Sequence, residues 1–362
     1  MTKEKIISFP HLGDYHIPIH FLLTKLTKYK VITAPPITKK TIELGSKYSP
    51  DFVCVPFKYN LGNFIESLEN GANVLIQAGG GCRYGYYPEV QEKILKDLGY
   101  QFEMYTLVNQ DKMTPRSLYQ TFKKIDHKIS LFKMIYYIPL TILMIRYMDN
   151  IDEYIRKNIG FEVEKNSFLN LKKEMLNCFD ECKGYLSLSK RYFQYKKKFR
   201  KLKINKPSNC LKVGFIGELY TAMEPFSNYF LEKELASMNI EIKRFTNASY
   251  LLYQKRFRTK KYLRYISKYC KYTLGADGMD NVYRSKYLID EGYDGIIHTK
   301  PFGCTPEIGA IPIIRKVCQD GKMPIIFFSF DSQTSEAGIK TRLEAFYDML
   351  KIKKGDLKWM HI

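Results

Sequence analysis

Short apolar runs alternate with helix-spaced amphipathic segments at both ends of the chain, and no other feature restricts its fold so much. Apolar runs at residues 5–9, 29–34, 52–55, 74–77 and 102–108 read as strands. Segments 17–27, 41–48, 61–70 and 88–98 between them carry helical spacing, and Gly71 and Gly99 close the last two. Between about 114 and 203 the strand signal disappears, glycines become scarce, and the spacing is helical throughout. The rhythm then resumes, with strands at 211–218, 240–244, 294–298 and 324–330 and helices at 228–238, 308–317 and 340–350. Such alternation predicts an α/β protein with parallel sheets covered by helices on both faces. The expected organisation is an α/β lobe over 1–110, a helical segment over 111–207 and a second α/β lobe over 208–362.

At 362 residues, 45% hydrophobic and 26% charged, the chain has material for a sizeable core. Eight cysteines without an N-terminal secretory pattern argue for a reducing cytoplasm rather than a disulfide framework. The longest apolar run, 134–145, is shorter than the roughly 20 residues that span a membrane, and Pro139 interrupts it. No membrane association is expected. The formal charge is +21, concentrated in the acid-free stretches 190–206 and 251–271. No zinc-finger, helix-turn-helix or RNA-binding signature accompanies them, so they read as solvated or partner-facing surface rather than a nucleic-acid site.

Ligands of open α/β sheets bind beyond the carboxyl ends of the strands. Cys54, Cys82 and Cys304 fall there on this reading, as do Glu218 and Asp331. Cys304 lies in a Gly-Cys-Thr-Pro turn that opens a helix, where free N–H groups stabilise a thiolate. Gly80 and Gly81 beside Cys82, and Gly303 beside Cys304, would let a bulky cofactor approach the backbone. Three thiols in matched settings suggest a metal centre between two lobes, although a single buried cysteine is more often a small core hydrophobe. Cys178 and Cys182, four apart on one helix face, are the competing pair. His298, Glu307 and Glu218 are the candidate acid–base residues. The run Gly79-Gly80-Gly81 lacks the Lys-Ser/Thr of a phosphate loop, so no nucleotide site is expected in this chain.

The strings Pro56-Phe57-Lys58 with Leu61-Gly62-Asn63-Phe64, Gly79 to Gly85, Gly217-Glu218-Leu219-Tyr220, Met223-Glu224-Pro225-Phe226, His298 to Glu307 and Phe330 to Thr334 together resemble one family. It is the 2-hydroxyacyl-CoA dehydratase and benzoyl-CoA reductase superfamily, in the branch of acyl-CoA dehydratase activase-related proteins near the double-cubane cluster proteins. The resemblance implies two Rossmann-like lobes with an iron–sulfur cluster in the inter-lobe cleft. By motif, Cys54, Cys82 and Cys304 would hold the cluster, either [4Fe-4S] or a double-cubane [8Fe-9S]. It further implies a separate ATP-dependent iron–sulfur activase, so that ATP acts only through that partner. A homodimer or a heterodimer with a related chain, and a small-molecule or acyl-CoA substrate, also follow. The implied activity is anaerobic reductase or dehydratase (lyase) chemistry. The alternative is a non-catalytic, cluster-carrying electron-transfer or scaffold subunit.

Overall fold

The computed structural model describes residues 4–80, 82–107 and 114–355, with the Arg256 side chain excepted. The chain divides into two compact units: residues 1–146 with 174–192, and residues 147–173 with 193–362.

In the first unit, β1 (Ile6–Ser8), α1 (His16–Leu26), β2 (Lys30–Val31), α2 (Lys39–Tyr48), α3 (Val55–Glu69), β3 (Val74–Gln77), α4 (Tyr87–Asp97), β4 (Glu103–Thr106) and α5 (Pro115–Ile125) follow in order. The sheet runs β2-β1-β3-β4 and every pairing is parallel. Alternation along β3 supplies both faces of the core. Val74 and Ile76 pack with Ile7, Leu23 and Phe122, while Leu75 packs with Leu61, Phe64 and Leu95. Helix α2 opens with a capping box in which Thr38 and Thr41 satisfy each other's backbone N–H. It meets α3 unusually closely: a Cβ at Gly45 would fall 1.8 Å from the Lys58 carbonyl, and one at Gly62 1.9 Å from that of Thr41. Glycine at both positions sets that crossing, and with it the height of the N-terminus of α3.

The predicted strand at 52–55 does not form. Residues 51–53 are a turn and Val55 already begins α3, with Pro56 in its first turn. Proline there lacks an N–H that the first turn would leave unpaired anyway, and its φ suits a helix. This outweighs the β-branched Val53 and Val55 that suggested a strand. The C-terminal end of the run predicted at 102–108, Val108, lies outside the described residues.

The strandless stretch is helical as expected, through α6 (Leu131–Asn158), α7 (Ser167–Asp180) and α8 (Tyr185–Lys201). Helix α6 exceeds the apolar run within it. It continues through Pro139 for 28 residues, about 42 Å at helical rise, and by length and composition alone it could cross a membrane. Its Leu140, Met144, Met148 and Ile151 are nevertheless buried in protein.

The second unit repeats the plan with β5 (Leu211–Gly217), α9 (Leu219–Met223), α10 (Leu231–Ser237), β6 (Ile240–Arg244), α11 (Lys255–Tyr265), α12 (Gly278–Asp290), β7 (Gly295–Pro301), α13 (Thr305–Asp320), β8 (Ile325–Phe330) and α14 (Glu336–Lys354). Its parallel sheet runs β6-β5-β7-β8, the same order as in the first unit when strands are counted along the chain. Two Rossmann-like lobes are therefore present, each with a topological switch point between its first and third strands.

Candidate functional site

All three sequence-selected thiols cap helices. Cys54 is the N-cap of α3, Cys304 the N-cap of α13, and Cys82 the N-cap of the 3-10 turn Arg83–Tyr86 that runs into α4. Two of them, Cys82 and Cys304, also follow strands β3 and β7 as expected. The helix N-terminus is thus the feature the three share. Orphan N–H groups there favour a thiolate over a thiol.

In the first unit, Cys54 and Cys82 each meet one member of a packed tyrosine pair. The Cys54 thiol is hydrogen-bonded to the Tyr87 hydroxyl. Tyr87 is buried against Phe57, edge to face at 5.0 Å, and its ring centroid lies 4.4 Å from that of Tyr84. The Tyr84 backbone N–H donates to Cys82 Sγ at 3.5 Å, and its hydroxyl accepts from Asn60 Nδ2 at 2.8 Å. Cys54 is half-buried and Cys82 exposed. Gly80 faces Tyr84, whose Cβ would stand 3.0 Å from a Cβ placed there; Gly81 lies outside the described residues. The tyrosines escaped the sequence reading, although Cys82-Arg83-Tyr84-Gly85-Tyr86-Tyr87 is dense in them.

In the second unit, Gly303 turns the chain at φ +75°, with open space where a side chain would stand. Cys304 follows, half-buried. Strand β7 behind it is buried along its whole length yet carries His298, Thr299 and Lys300 in succession. Such a strand ordinarily reads as continuous apolar sequence, so each of these groups needs a partner. Lys300 Nζ bonds Ser329 Oγ at 2.8 Å. Burial pushes its pKa down, while Cys304 and Glu307 pull it up, which puts an ammonium in electrostatic reach of the thiol. His298 Nε2 lies 2.6 Å from Glu307 Oε2. Asn281 Nδ2 donates to both Glu307 oxygens at 2.9 and 3.0 Å, and Arg284 Nη1 donates to Asn281 Oδ1 and Thr246 Oγ1 at 2.9 and 2.8 Å. His298 and Glu307 are both fully buried. Burial of that kind suits groups that fix the turn before α13 better than groups that exchange protons with a substrate.

Glu218 follows β5 as the N-cap of α9, its N–H donating to the Thr299 carbonyl of β7 at 2.9 Å. Its carboxylate accepts from Tyr220 N, Thr221 N and Thr221 Oγ1 at 3.0, 2.9 and 2.8 Å. Burial pushes its pKa up to about 7, with Asp277 adding to the rise and those hydrogen bonds opposing it. Burial thus poises Glu218 to change protonation near neutrality.

The polar core of this unit, which sequence reading passed over, hangs on α12. Asp277, Asp280, Asn281 and Arg284 recur at three- and four-residue spacing and are buried. Lys255 pairs with Asp277 at 2.7 Å and Asp280 at 3.2 Å. That residue of the basic stretch 251–271 is therefore an internal ion-pair partner rather than docking surface. Cys182, Cys210, Cys270 and Cys318 are buried, and desolvation pushes the Cys318 thiol up to about 12.

Among the described residues, no three His, Cys, Asp or Glu side chains are gathered as metal ligands. Cys54 and Cys82 belong to one unit and Cys304 to the other. Taken singly, the thiols suit an iron–sulfur group: each is at least partly accessible, each begins a helical turn, and one has a lysine in electrostatic reach.

These features define a duplicated parallel α/β fold with thiols and a neutral-range carboxyl at the carboxyl ends of its strands. Residues 253–350 match the family described as 2-hydroxyglutaryl-CoA dehydratase, D-component. The match is consistent with the 2-hydroxyacyl-CoA dehydratase superfamily to which the motifs pointed. It takes in the α12 polar core, His298, Cys304 and Glu307, and leaves Cys54, Cys82 and Glu218 outside. No curated protein matches the chain.

Proposed function

We propose that the chain is a cytoplasmic iron–sulfur component of a 2-hydroxyacyl-CoA dehydratase-type system, with Cys54, Cys82 and Cys304 as the cluster thiolates. The match over residues 253–350, with Cys304 at the N-cap of α13 inside it, carries the reading. When bound, the [4Fe-4S] or [8Fe-9S] group would supply low-potential electrons and a Lewis-acidic iron. The chain's own residues would prepare the place for it. Lys300 offsets thiolate charge near Cys304, and the Tyr84–Tyr87 pair orients the two thiols of the first unit. The His298–Glu307–Asn281 network holds the turn that presents Cys304, and Glu218 can hold or release a proton near pH 7. Electrons would come from a separate ATP-hydrolysing activase, for which the exposed part of the basic stretches offers a charged surface. The substrate would be an acyl-CoA or another small molecule, and the working form a dimer.

The test is iron and acid-labile sulfide per chain after strictly anaerobic purification, with electron paramagnetic resonance of the reduced protein. Cys54→Ala, Cys82→Ala and Cys304→Ala should each lose most of the iron, and Cys178→Ala should keep it. A Cys304→Ala protein that retains full iron and an unchanged spectrum refutes the ligand set. Loaded protein with activase, ATP and acyl-CoA substrates then separates catalysis from electron carriage alone.

A further inference from the structure

The second unit also contains a pocket of about 520 Å³ whose lining includes none of the thiols and none of the candidate acid–base residues. Its walls are apolar: Ile155 of α6, Ile159 just beyond that helix, Leu169 of α7, Ile242 of β6 and the ring of Phe230. The size lies within the range of small-molecule sites.

Charge appears in it where local patterns call for hydrocarbon. Along β6, Ile240, Ile242 and Arg244 alternate onto the buried face, so the third position in phase is an arginine, only 8% exposed. On α6, Arg156 follows Ile155 into the same buried surface and is 6% exposed. Arg244 has Glu232 at 3.0 Å. Arg156, by contrast, stands 3.8 Å from Asp152 and 3.9 Å from Glu232, beyond hydrogen-bond length. Asp152 has Lys172 closer, at 2.7 Å. The lining holds five basic side chains against three acidic ones. One of those acids, Glu162, is engaged by the Asn166 and Phe168 N–H groups at 2.7 and 3.2 Å where α7 begins. The charge left in the pocket favours an anion.

Backbone conformation gives a second sign. Asn166, Phe230 and Asn239 line the pocket, and all three are left-handed, at φ 64°, 56° and 58°. For phenylalanine that conformation is costly, and such residues concentrate where a chain is shaped around a ligand.

We infer that this pocket binds a small organic monocarboxylate with an apolar body, its carboxylate set against Arg156 and its tail along Ile155, Ile159, Leu169 and Phe230. A planar guanidinium matches a planar carboxylate with two parallel hydrogen bonds. The hydrocarbon walls offer little to a sugar or a nucleotide. The site is independent of the cysteines, so its failure or success leaves the cluster assignment untouched.

Isothermal titration of the full chain with hexanoate, hexan-1-ol and acetate tests it. Hexanoate should bind saturably at one site, with the alcohol (no charge) and acetate (no body) each at least about tenfold weaker, a difference of about 1.4 kcal/mol. Because Arg156 substitutions disturb the partly buried carboxylates of Asp152 and Glu232, the variant is Leu169→Asp, at a position 45% exposed on α7. It should weaken hexanoate about tenfold while leaving the melting temperature in place. Non-saturable hexanoate binding, hexan-1-ol binding as tightly as hexanoate, or affinity unchanged in Leu169→Asp would each overturn the inference.

Discussion

Glu218 offers the sharpest test of the second switch point, because burial has moved it into the range where the protein works. Its pKa rises from the ordinary 4.5 to about 7, equivalent to about 3 kcal/mol at 1.36 kcal/mol for each tenfold change in proton affinity. Some of the residue's surface reaches solvent, so that figure is an upper bound. Between pH 4.5 and 7 the folded chain holds a proton at this carboxyl that the unfolded chain has released. Stability therefore falls as pH rises through that window and levels off above it. Glu218→Gln cannot ionise and escapes the fall, at the constant cost of an altered cap on α9. In urea titrations from pH 4.5 to 8, the stability of the variant minus that of wild type should climb by up to about 3 kcal/mol. All other groups titrate in both proteins and cancel. A difference that stays flat across the window would mean that Glu218 ionises like an exposed glutamate. The carboxyl would then be no neutral-range proton holder.

Two further outcomes follow from the same cores. Glu307→Ala strips His298 and Asn281 of their shared acceptor in a fully buried place, and should cost about 3 kcal/mol in urea unfolding; a loss under about 1 kcal/mol would show that water replaces the carboxylate there. Iodoacetamide at mildly alkaline pH should label Cys82 of metal-free protein first and reach Cys318 only after unfolding, since one thiol is exposed and the other is buried with its pKa near 12. Peptide mass spectrometry reads the order, and early labelling of Cys318 would contradict the packing around α13.

The βα rhythm was legible because burial on both faces of a parallel sheet forces long apolar runs, and helical spacing survives between them. Phe52–Val55 misled because periodicity over four residues cannot tell a strand from a proline-led helix start; Phe52 is in fact 94% exposed. Cys304 and Cys82 were placed well because each follows a strand that sequence could find. Lys300 was legible in principle, being a charged residue inside a run that reads as buried strand. The Lys255–Asp277–Asp280 cluster was not, because Lys255 lies 22 or more residues before its two aspartates and only the packing of α11 on α12 unites them. Tyr87 was invisible for the same reason: its hydroxyl finds Cys54 33 residues away.

The repeated strand order makes positions in the two units comparable, and the comparison bears on why the motifs supply three thiols rather than four. Cys82 follows the third strand of its unit and Cys304 the third of its own, each capping the next helical turn. Cys54 caps α3, the helix that leads into β3. Its counterpart is the N-cap of α12, the helix that leads into β7, and that residue is Asp277. A carboxylate thus stands where symmetry would place a fourth thiol. It makes no capping bond to its own helix and is 4% exposed, turned instead to Lys255 at 2.7 Å. The same carboxylate helps raise the pKa of Glu218. On the proposed reading, the first unit spends this position on holding the cluster. The second spends it on an ion pair beside an acid whose pKa is raised chiefly by burial, with Asp277 adding to the rise. Two copies of one fold would then divide the work, ligation falling more heavily on the first and proton handling on the second.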